Sequence, residues 1–187
     1  MGELRRLSDA GALTREAVER LEEMAALIHA WNPRVNLTGY KSVSDIEKLL
    51  IGESVAALSV LKLERCSVLD FGSGAGIPGL VWSLCEPSLR VVSLEIRHKK
   101  VAFQKEVLRR LGIAAEVVQG HFPEAVAARR FDCIVSRAIR LDARVWENSS
   151  RLLSPEGRIV RFATPGVVEK GWRTLPVSEH TTLLLQP

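Results

Sequence analysis

The segment Val68-Leu69-Asp70-Phe71-Gly72-Ser73-Gly74-Ala75-Gly76-Ile77-Pro78-Gly79 is predicted to join an apolar strand to a helix through a glycine-rich turn. Asp70 ends the strand, and Pro78 stands near the start of the helix. Glycines let the backbone turn tightly and approach a ligand closely, since they carry no Cβ. Ligands of alternating strand–helix folds bind at the carboxyl ends of the strands, over a helix N-terminus. The segment therefore predicts a ligand site at this turn.

Short apolar runs alternate with amphipathic stretches after residue 62. The strands that these runs predict lie at 67–70, 91–95, 115–119, 131–136, 158–162 and 181–185, with a further one at 175–177. The helices between them are predicted at 77–85, 98–111 and 141–152, with Gly112 as a C-cap. Alternation at this spacing implies right-handed crossovers and a mostly parallel sheet with helices on both faces. The expected class is an α/β, Rossmann-like fold.

Two helices are predicted before the alternating part. Apolar residues recur at three- and four-residue steps from Val18 to Trp31, and Thr14 is placed to cap that helix. Asn32-Pro33 is predicted to end it, because the residue before a proline is biased away from helical geometry. A second helix is predicted from about Ser42 or Ser44 to Leu61. We therefore expect a helical layer at the N-terminal end of the chain.

Length and composition fit one domain. The 187 residues are enough for one full core, so we expect a single domain over 1–187, with the helical layer at 1–62 and the Rossmann-like core at 63–187. No apolar run approaches the roughly 20 residues that span a bilayer, and no secretory signal is evident, so a cytoplasmic protein is expected. The three scattered cysteines predict no metal site. A net charge of +4 fits a nucleic-acid partner without requiring one.

The acidic residue before the glycines favours one kind of ligand over another. The spacing of Gly74, Gly76 and Gly79 also matches the G-x-G-x-x-G pattern of dinucleotide sites. Asp70 is unfavourable beside an anionic pyrophosphate and suits a cationic ligand. S-adenosylmethionine carries a sulfonium, an ammonium and no phosphate. The series from Asp70 through Gly72, Gly74 and Gly76 therefore favours this methyl donor over a nicotinamide cofactor.

The next two predicted strands end in further candidate donor-binding residues. Glu95 follows Gly72 by 23 residues, near the roughly 20-residue offset at which an acidic residue meets ribose hydroxyls. Gln119 and Gly120 end the third strand, beside the expected adenine position. We predict that Gly120 leaves room for the ring and that amide groups there reach its edge.

The loop after the fourth strand suggests the chemistry. It contains neither an Asn/Asp-Pro-Pro-aromatic sequence nor a Pro-Cys nucleophile, and Ser136 and Arg137 are what remains. A guanine N7 has an in-plane lone pair and no proton, so its methylation needs alignment and charge complementarity rather than a general base. Arg137 is the predicted positioning residue, for the guanine, a phosphate or the carboxylate of the donor. Arg140 and Arg144 are basic candidates nearby.

These residues resemble the glucose-inhibited division protein B family, the bacterial small-subunit ribosomal RNA guanine-N7 methyltransferases. The resemblance covers about residues 20 to 165 and rests on Trp31-Asn32, Asn36-Leu37-Thr38, the glycine segment, Phe122-Pro123, Phe131-Asp132 and Ser136-Arg137-Ala138. It implies a Rossmann-like class I methyltransferase that uses S-adenosyl-L-methionine and acts on N7 of a guanine in 16S ribosomal RNA, with ribosomal RNA or the small subunit as partner. By position, the donor-binding residues of the family correspond to Gly72, Ile77, Gln119, Gly120 and Arg137, and its ribose-binding acid to Glu95.

The chain departs from that family on the acceptor side. An Arg-His pair usual in the second helix is absent from Leu49-Leu50-Ile51-Gly52, and the lysine usual after the fifth strand is absent from Ala163-Thr164-Pro165-Gly166. The basic C-terminal end is missing as well. A divergent methyltransferase of a small molecule or protein, a non-catalytic module that binds the donor or RNA, and a nicotinamide-dependent oxidoreductase therefore remain alternatives.

Overall fold

A seven-stranded sheet lies at the centre of the computed structural model, which describes residues 4–5, 13–137 and 143–186. Its strands are β1 (Ser67–Phe71), β2 (Arg90–Glu95), β3 (Ala115–Gln119), β4 (Phe131–Ser136), β5 (Leu153–Ala163), β6 (Arg173–Pro176) and β7 (Thr182–Gln186). The spatial order is β3-β2-β1-β4-β5-β7-β6, and only β7 runs against its neighbours. The order reverses direction between β1 and β4, the switch point at which open α/β sheets bind ligands.

Helices cover both faces of the sheet. They are α1 (Arg15–Val35), α2 (Val43–Asp45), a π-helix (Ile46–Gly52), α3 (Glu53–Leu61), α4 (Gly79–Cys85), α5 (His98–Leu111), a 3₁₀ turn (Glu124–Val126) and α6 (Ala143–Arg151). Successive residues of β1 enter different cores, because side chains of a strand alternate between its faces. Val68 packs with α3 and α4, whereas Leu69 packs with Val126 and Leu152. The predicted Rossmann-like α/β fold is confirmed.

The first helix begins as predicted and ends later than predicted. Thr14 Oγ1 accepts a hydrogen bond from the Ala17 N–H at 3.1 Å and so caps the N-terminus. The prediction that Asn32-Pro33 ends the helix is wrong, since α1 continues to Val35. Pro33 lies in the last turn, and the Asn36 N–H donates to the Asn32 carbonyl to close the helix. Asn36 then leaves helical geometry with φ 55°, a conformation that asparagine tolerates.

The second helix is present but is not a regular α-helix. Its central part, Ile46–Gly52, is π-helical, with α2 before it and α3 after it. A π-helix has wider turns than an α-helix, so the apolar residues change phase along the segment. Ile46, Leu50, Ile51 and Gly52 are all buried along this segment.

The remaining elements follow the predictions closely. Helix α5 has the predicted bounds, and Gly112 caps it with φ 59°. Helix α4 begins at Gly79 rather than 77, because the preceding residues form a turn closed on the Ser73 carbonyl. Strand β5 is longer than predicted, and residues 141–142 of the predicted helix lie outside the described residues. No helix in the described ranges is both long and apolar enough to span a membrane.

Candidate active site

A cavity of about 410 Å³ opens between the glycine turn and the N-terminal helices. That volume is within the range of small-molecule sites. Its described lining is Leu37, Thr38, Gly39, Tyr40, Leu50, Gly72, Ser73, Gly74, Ala75, Ile77, Lys100 and Arg137. The cavity therefore lies at the switch point of the sheet, where the fold predicts a ligand.

The glycine turn adopts backbone angles that other residues avoid. Gly72, Gly74 and Gly76 have φ of 66°, 59° and 78°, a region that costs residues with a Cβ about 1–2 kcal/mol each. The Gly72 N–H donates to the Leu94 carbonyl at 2.8 Å, which ties the turn to the end of β2. The turn is thus fixed before any ligand arrives.

Asp70 lies beneath the turn rather than in the wall of the cavity. It is fully buried, and its Oδ2 accepts a hydrogen bond from the Gly79 N–H at 2.8 Å, which caps helix α4. Its Oδ1 has no partner among the described residues. Burial raises the pKa of Asp70 to about 7, with a smaller contribution from Glu95, while the Gly79 N–H and Arg137 oppose the rise. The carboxylate that favoured a cationic ligand in the sequence therefore also has a structural role.

Replacing Asp70 with asparagine is expected to remove a pH-dependent loss of stability. Because the folded-state pKa is raised, folding takes up a proton between the ordinary pKa of 3.8 and about 7. The free energy of unfolding of the wild type should therefore fall across that window, by at most about 1.4 kcal/mol per pH unit from this group. Asp70→Asn should lack that fall, as urea unfolding measured at several pH values will show.

Asp132→Asn is the matched control for that experiment. Backbone and side-chain hydrogen bonds from Ser67 hold the pKa of Asp132 below its ordinary value. This carboxylate therefore contributes stability above its ordinary pKa and loses it as the pH falls, which is the opposite sign. If the difference between Asp70→Asn and wild type does not change with pH, the raised pKa of Asp70 is contradicted.

Glu95, Gln119 and Gly120 lie together at the adjoining ends of β2 and β3. Glu95 pairs with Gln119 across the two strands, and the Gly120 N–H donates to the Glu95 carbonyl at 3.2 Å. Glu95 Oε2 accepts from the Gly74 N–H at 3.0 Å, and its Oε1 accepts from the Arg97 N–H at 2.8 Å. Each carboxylate oxygen keeps a second lone pair for a hydroxyl donor. The three residues thus extend the site beyond the cavity.

The structure gives a different reason for glycine at position 120. A Cβ built there would lie 2.5 Å from the Ala125 Cβ, well inside van der Waals contact. The missing side chain therefore admits the turn at Glu124–Val126. The adjacent Gln119 is exposed, and its Nε2 donates to the Ile96 carbonyl at 3.5 Å.

Arg137 lies in the cavity and holds the π-helix. Its Nη1 donates to the Leu50 carbonyl at 3.0 Å, and its Nη2 donates to the Leu49 carbonyl at 2.7 Å. The guanidinium lies 5.1 Å from the centroid of the Phe162 ring, a cation–π distance. Burial lowers the pKa of Arg137 from its ordinary value. Contacts to Leu49, Leu50 and Ser54 use three of its five N–H groups, so two remain for a ligand.

Sequence reasoning missed the second cation of the cavity. Lys100 was not among the basic candidates, but it lines the cavity with its Nζ 3.9 Å from the Cβ position of Gly74. A usable signal was its place two residues after the start of a helix that follows a strand end. Arg140 and the side chain of Arg144, the other basic candidates, lie outside the described residues.

A buried asparagine holds the opposite wall of the cavity. Asn32 Oδ1 accepts from the N–H groups of Leu37 and Thr38, at 2.8 and 2.9 Å. Its Nδ2 donates to the carbonyls of Thr38 and Tyr40, at 3.0 and 3.1 Å. One amide side chain therefore fixes the loop that faces the glycine turn. These hydrogen bonds connect the two segments Trp31-Asn32 and Asn36-Leu37-Thr38, on which part of the family resemblance rests.

The predicted site residues thus fall into two groups. The cavity brings together Gly72, Gly74, Ile77 and Arg137, while Asp70, Gly76, Glu95, Gln119 and Gly120 lie beneath or beside it. Two cations suit the carboxylate of an amino acid, and the spare lone pairs of Glu95 suit ribose hydroxyls. The residues present therefore fit S-adenosylmethionine.

The strand order, the glycine turn and the cavity beside it define a class I S-adenosylmethionine-dependent methyltransferase. The family model described as rRNA small subunit methyltransferase G matches residues 17–164. The protein of that name from Chromohalobacter salexigens is 38% identical over 142 residues, which cover 75% of this chain and 67% of the relative. The one from Methylococcus capsulatus is 32% identical over 154 residues, covering 82% and 73%. The chain belongs to the rRNA small subunit methyltransferase G family, so the resemblance seen in its sequence is confirmed.

Solved structures support the fold independently. A 16S rRNA N2 methyltransferase from T. thermophilus, solved with AdoMet and guanosine, superposes with a TM-score of 0.59 at 21% identity. The match covers 72% of this chain and 42% of that one. An RNA methyltransferase from Salinibacter ruber, solved with S-adenosyl-L-homocysteine, also gives 0.59, at 18% identity and with 73% and 88% coverage.

Proposed function

We propose that this protein transfers the methyl group of S-adenosylmethionine to N7 of a guanine in 16S ribosomal RNA. Membership of the rRNA small subunit methyltransferase G family supports the RNA substrate. The observation that carries the choice of N7 is the lining of the cavity. The described residues that line it include no Asp, Glu or His. A carboxylate or an imidazole is the usual base for an acceptor that must lose a proton on methylation, whereas N7 needs no base.

The side chains of the site supply alignment and charge rather than proton transfer. We propose that the N–H groups of Arg137 and the ammonium of Lys100 bind the carboxylate of the donor, and that Glu95 accepts hydrogen bonds from its ribose hydroxyls. Gly72, Gly74 and Ile77 provide the surface against which the donor lies, with Gln119 and Gly120 beside its adenine. S-adenosylmethionine, when bound, supplies an electrophilic methyl group on a sulfonium.

Arg137 also couples the donor to the acceptor side in this proposal. Its guanidinium donates to two carbonyls of the π-helix, so the position of Leu49 and Leu50 depends on the same group that binds the donor. The arginine therefore holds the wall of the cavity at the distance that the reaction requires. In-line methyl transfer gains most of its rate from such positioning.

Small ribosomal subunits from a strain that lacks this protein provide the direct test. We expect label from methyl-labelled S-adenosylmethionine to enter 16S RNA at one guanine and to make that position sensitive to cleavage chemistry specific for N7-methylguanine. Label in ribosomal protein, or label that resists this cleavage, contradicts the proposal. Calorimetry should show binding of S-adenosylmethionine and none of NAD.

The departures of the second helix and of the segment after β5 favour a second candidate. Leu49 and Leu50 replace the usual Arg-His pair, so a divergent acceptor is the alternative. Free 16S RNA, assembled subunits and a total small-molecule extract should be offered in parallel to separate the two. We also propose that the protein acts in the cytoplasm, because its proposed substrate is part of the ribosome.

A further inference from the structure

A second cavity, of about 420 Å³, lies outside the donor site. It is bounded by the last two turns of α1 and the first two turns of α5. Its lining is Ala30, Trp31, Arg34, Val35, His98, Lys99 and Ala102. The half-buried indole of Trp31 packs edge-on against Phe103, with ring centroids 5.6 Å apart and planes at 61°. The cavity therefore combines a fixed aromatic side chain with basic side chains.

The basic side chains of this cavity are not neutralised by the protein. Within residues 13–137 and 143–186, no carboxylate forms an ion pair with Arg34, His98 or Lys99, and all three are exposed. The cavity lining itself includes no acidic residue. The same edge holds the N-terminus of α5, whose cap residue Arg97 provides no side-chain hydrogen bond. A helix N-terminus carries partial positive charge, so it adds to the field of the side chains.

We propose that this cavity binds a nucleotide of the RNA substrate next to the guanine that is methylated, with its phosphate at Arg34 and Lys99 and its base against Trp31. The inference rests on the proposed function, since it assumes an RNA substrate. Bound RNA phosphates typically meet arginine, lysine and helix N-termini, and unpaired bases stack on aromatic side chains. A protein partner would need acidic residues at this place and would not use the indole in the same way.

The two cavities are neighbours along two segments of the chain. Val35 lines the second cavity and Leu37 lines the donor cavity, two residues later. Likewise, Lys99 lines the second cavity and Lys100 lines the donor cavity. A strand of RNA that delivers its guanine to the donor cavity therefore passes the second cavity within a nucleotide or two. In this proposal, both lysines at the start of α5 contact a ligand: Lys99 the RNA and Lys100 the methyl donor.

The test compares two double variants that remove equal charge. Arg34→Gln with Lys99→Gln removes both proposed phosphate contacts, and Lys105→Gln with Lys170→Gln removes two exposed lysines elsewhere. A short fluorescein-labelled single-stranded RNA is the probe, and anisotropy is measured over a range of salt. We expect the first variant to bind on the order of tenfold more weakly at low salt, and its salt slope to be shallower by about 1.4. Calorimetry with S-adenosylmethionine should be unchanged in both.

Trp31→Phe provides an independent readout because phenylalanine preserves a ring against Phe103. RNA should quench tryptophan fluorescence in the wild type and lose much of that quenching in the variant. Equal salt slopes for the two double variants, or equal competition by an acidic peptide, overturns the proposal. If the protein methylates subunits while the two double variants have equal salt slopes, the proposed nucleotide site is wrong and the proposed reaction stands. If RNA binding depends on Arg34 and Lys99 but no RNA is methylated, the proposed reaction fails instead.

Discussion

Arg137→Lys is expected to lower kcat/KM for methyl transfer on the order of a hundredfold while the protein stays folded, because lysine keeps the charge but not the fork of N–H groups. Arg137 donates to the carbonyls of Leu49 and Leu50 from two different nitrogens, and a single ammonium cannot reproduce that geometry. The loss should appear in kcat as well as in the KM for the donor, since the variant displaces the wall of the cavity. Steady-state kinetics with small subunits measures both.

Arg158→Lys is the control for that experiment. Arg158 also donates to a helix carbonyl, that of Leu61 at 3.0 Å, but it pairs with Cys133 in the middle of the sheet and does not line the cavity. Each lost hydrogen bond costs about 1 kcal/mol, so Arg137→Lys, which loses more contacts than Arg158→Lys, should be the less stable of the two by about 1–2 kcal/mol and still be folded. If Arg158→Lys impairs methyl transfer as much as Arg137→Lys does, the role of Arg137 is general stabilisation and the proposed positioning is wrong.

Gly76→Ala is expected to destabilise the fold more than Gly74→Ala does, because the Cβ position of Gly74 has no atom closer than 3.9 Å. Gly76 has φ 78°, and a Cβ there would lie 2.5 Å from Leu80 Cδ1 and 2.7 Å from its Cγ. Leu80 is fully buried in the core, so it has no free space to enter. Strain of about 1–2 kcal/mol and overpacking of about 1–3 kcal/mol predict a loss of about 2–5 kcal/mol. Urea denaturation measures it.

Gly166→Ala separates the two causes. Gly166 has a similar φ of 85°, but no atom lies within 4 Å of its Cβ position. It should therefore show the strain alone, about 1–2 kcal/mol. A loss at Gly76 no greater than the loss at Gly166 would mean that Leu80 moves aside, and the overpacking argument would be contradicted.

Local patterns predicted those parts of the fold that depend on local physics. The hydrophobic pattern predicted β3, β4 and α5 with the bounds observed. Apolar residues that alternate along a strand, or recur every third and fourth position along a helix, can be recognised without knowledge of the rest of the fold. The end of α1 was not predicted, because the bias of a residue before proline against helical geometry is overridden at Asn32, and the helix closes on the hydrogen bond from the Asn36 N–H to the Asn32 carbonyl.

The candidate site shows the same division. The glycine turn and Arg137 were identified from sequence, the turn by the spacing of its glycines and Arg137 by its place directly after β4. The role of Asp70 as a helix cap and the place of Lys100 in the cavity were not, because both follow from how α4 and α5 pack against the sheet. Glycine at 120 likewise depends on Ala125, five residues away in another turn.

The π-helix places a constraint on chain length. A π-turn holds one more residue than an α-turn, so the segment Ile46–Gly52 resembles an α-helix that has gained an insertion. The contacts of Arg137 depend on that extra residue, because its guanidinium donates hydrogen bonds to the carbonyls of Leu49 and Leu50 within the π-helix. Deleting one residue here would restore a regular helix and rotate those carbonyls away from the arginine. This wall of the cavity can therefore accept substitutions, whereas deletion of a residue would disrupt it.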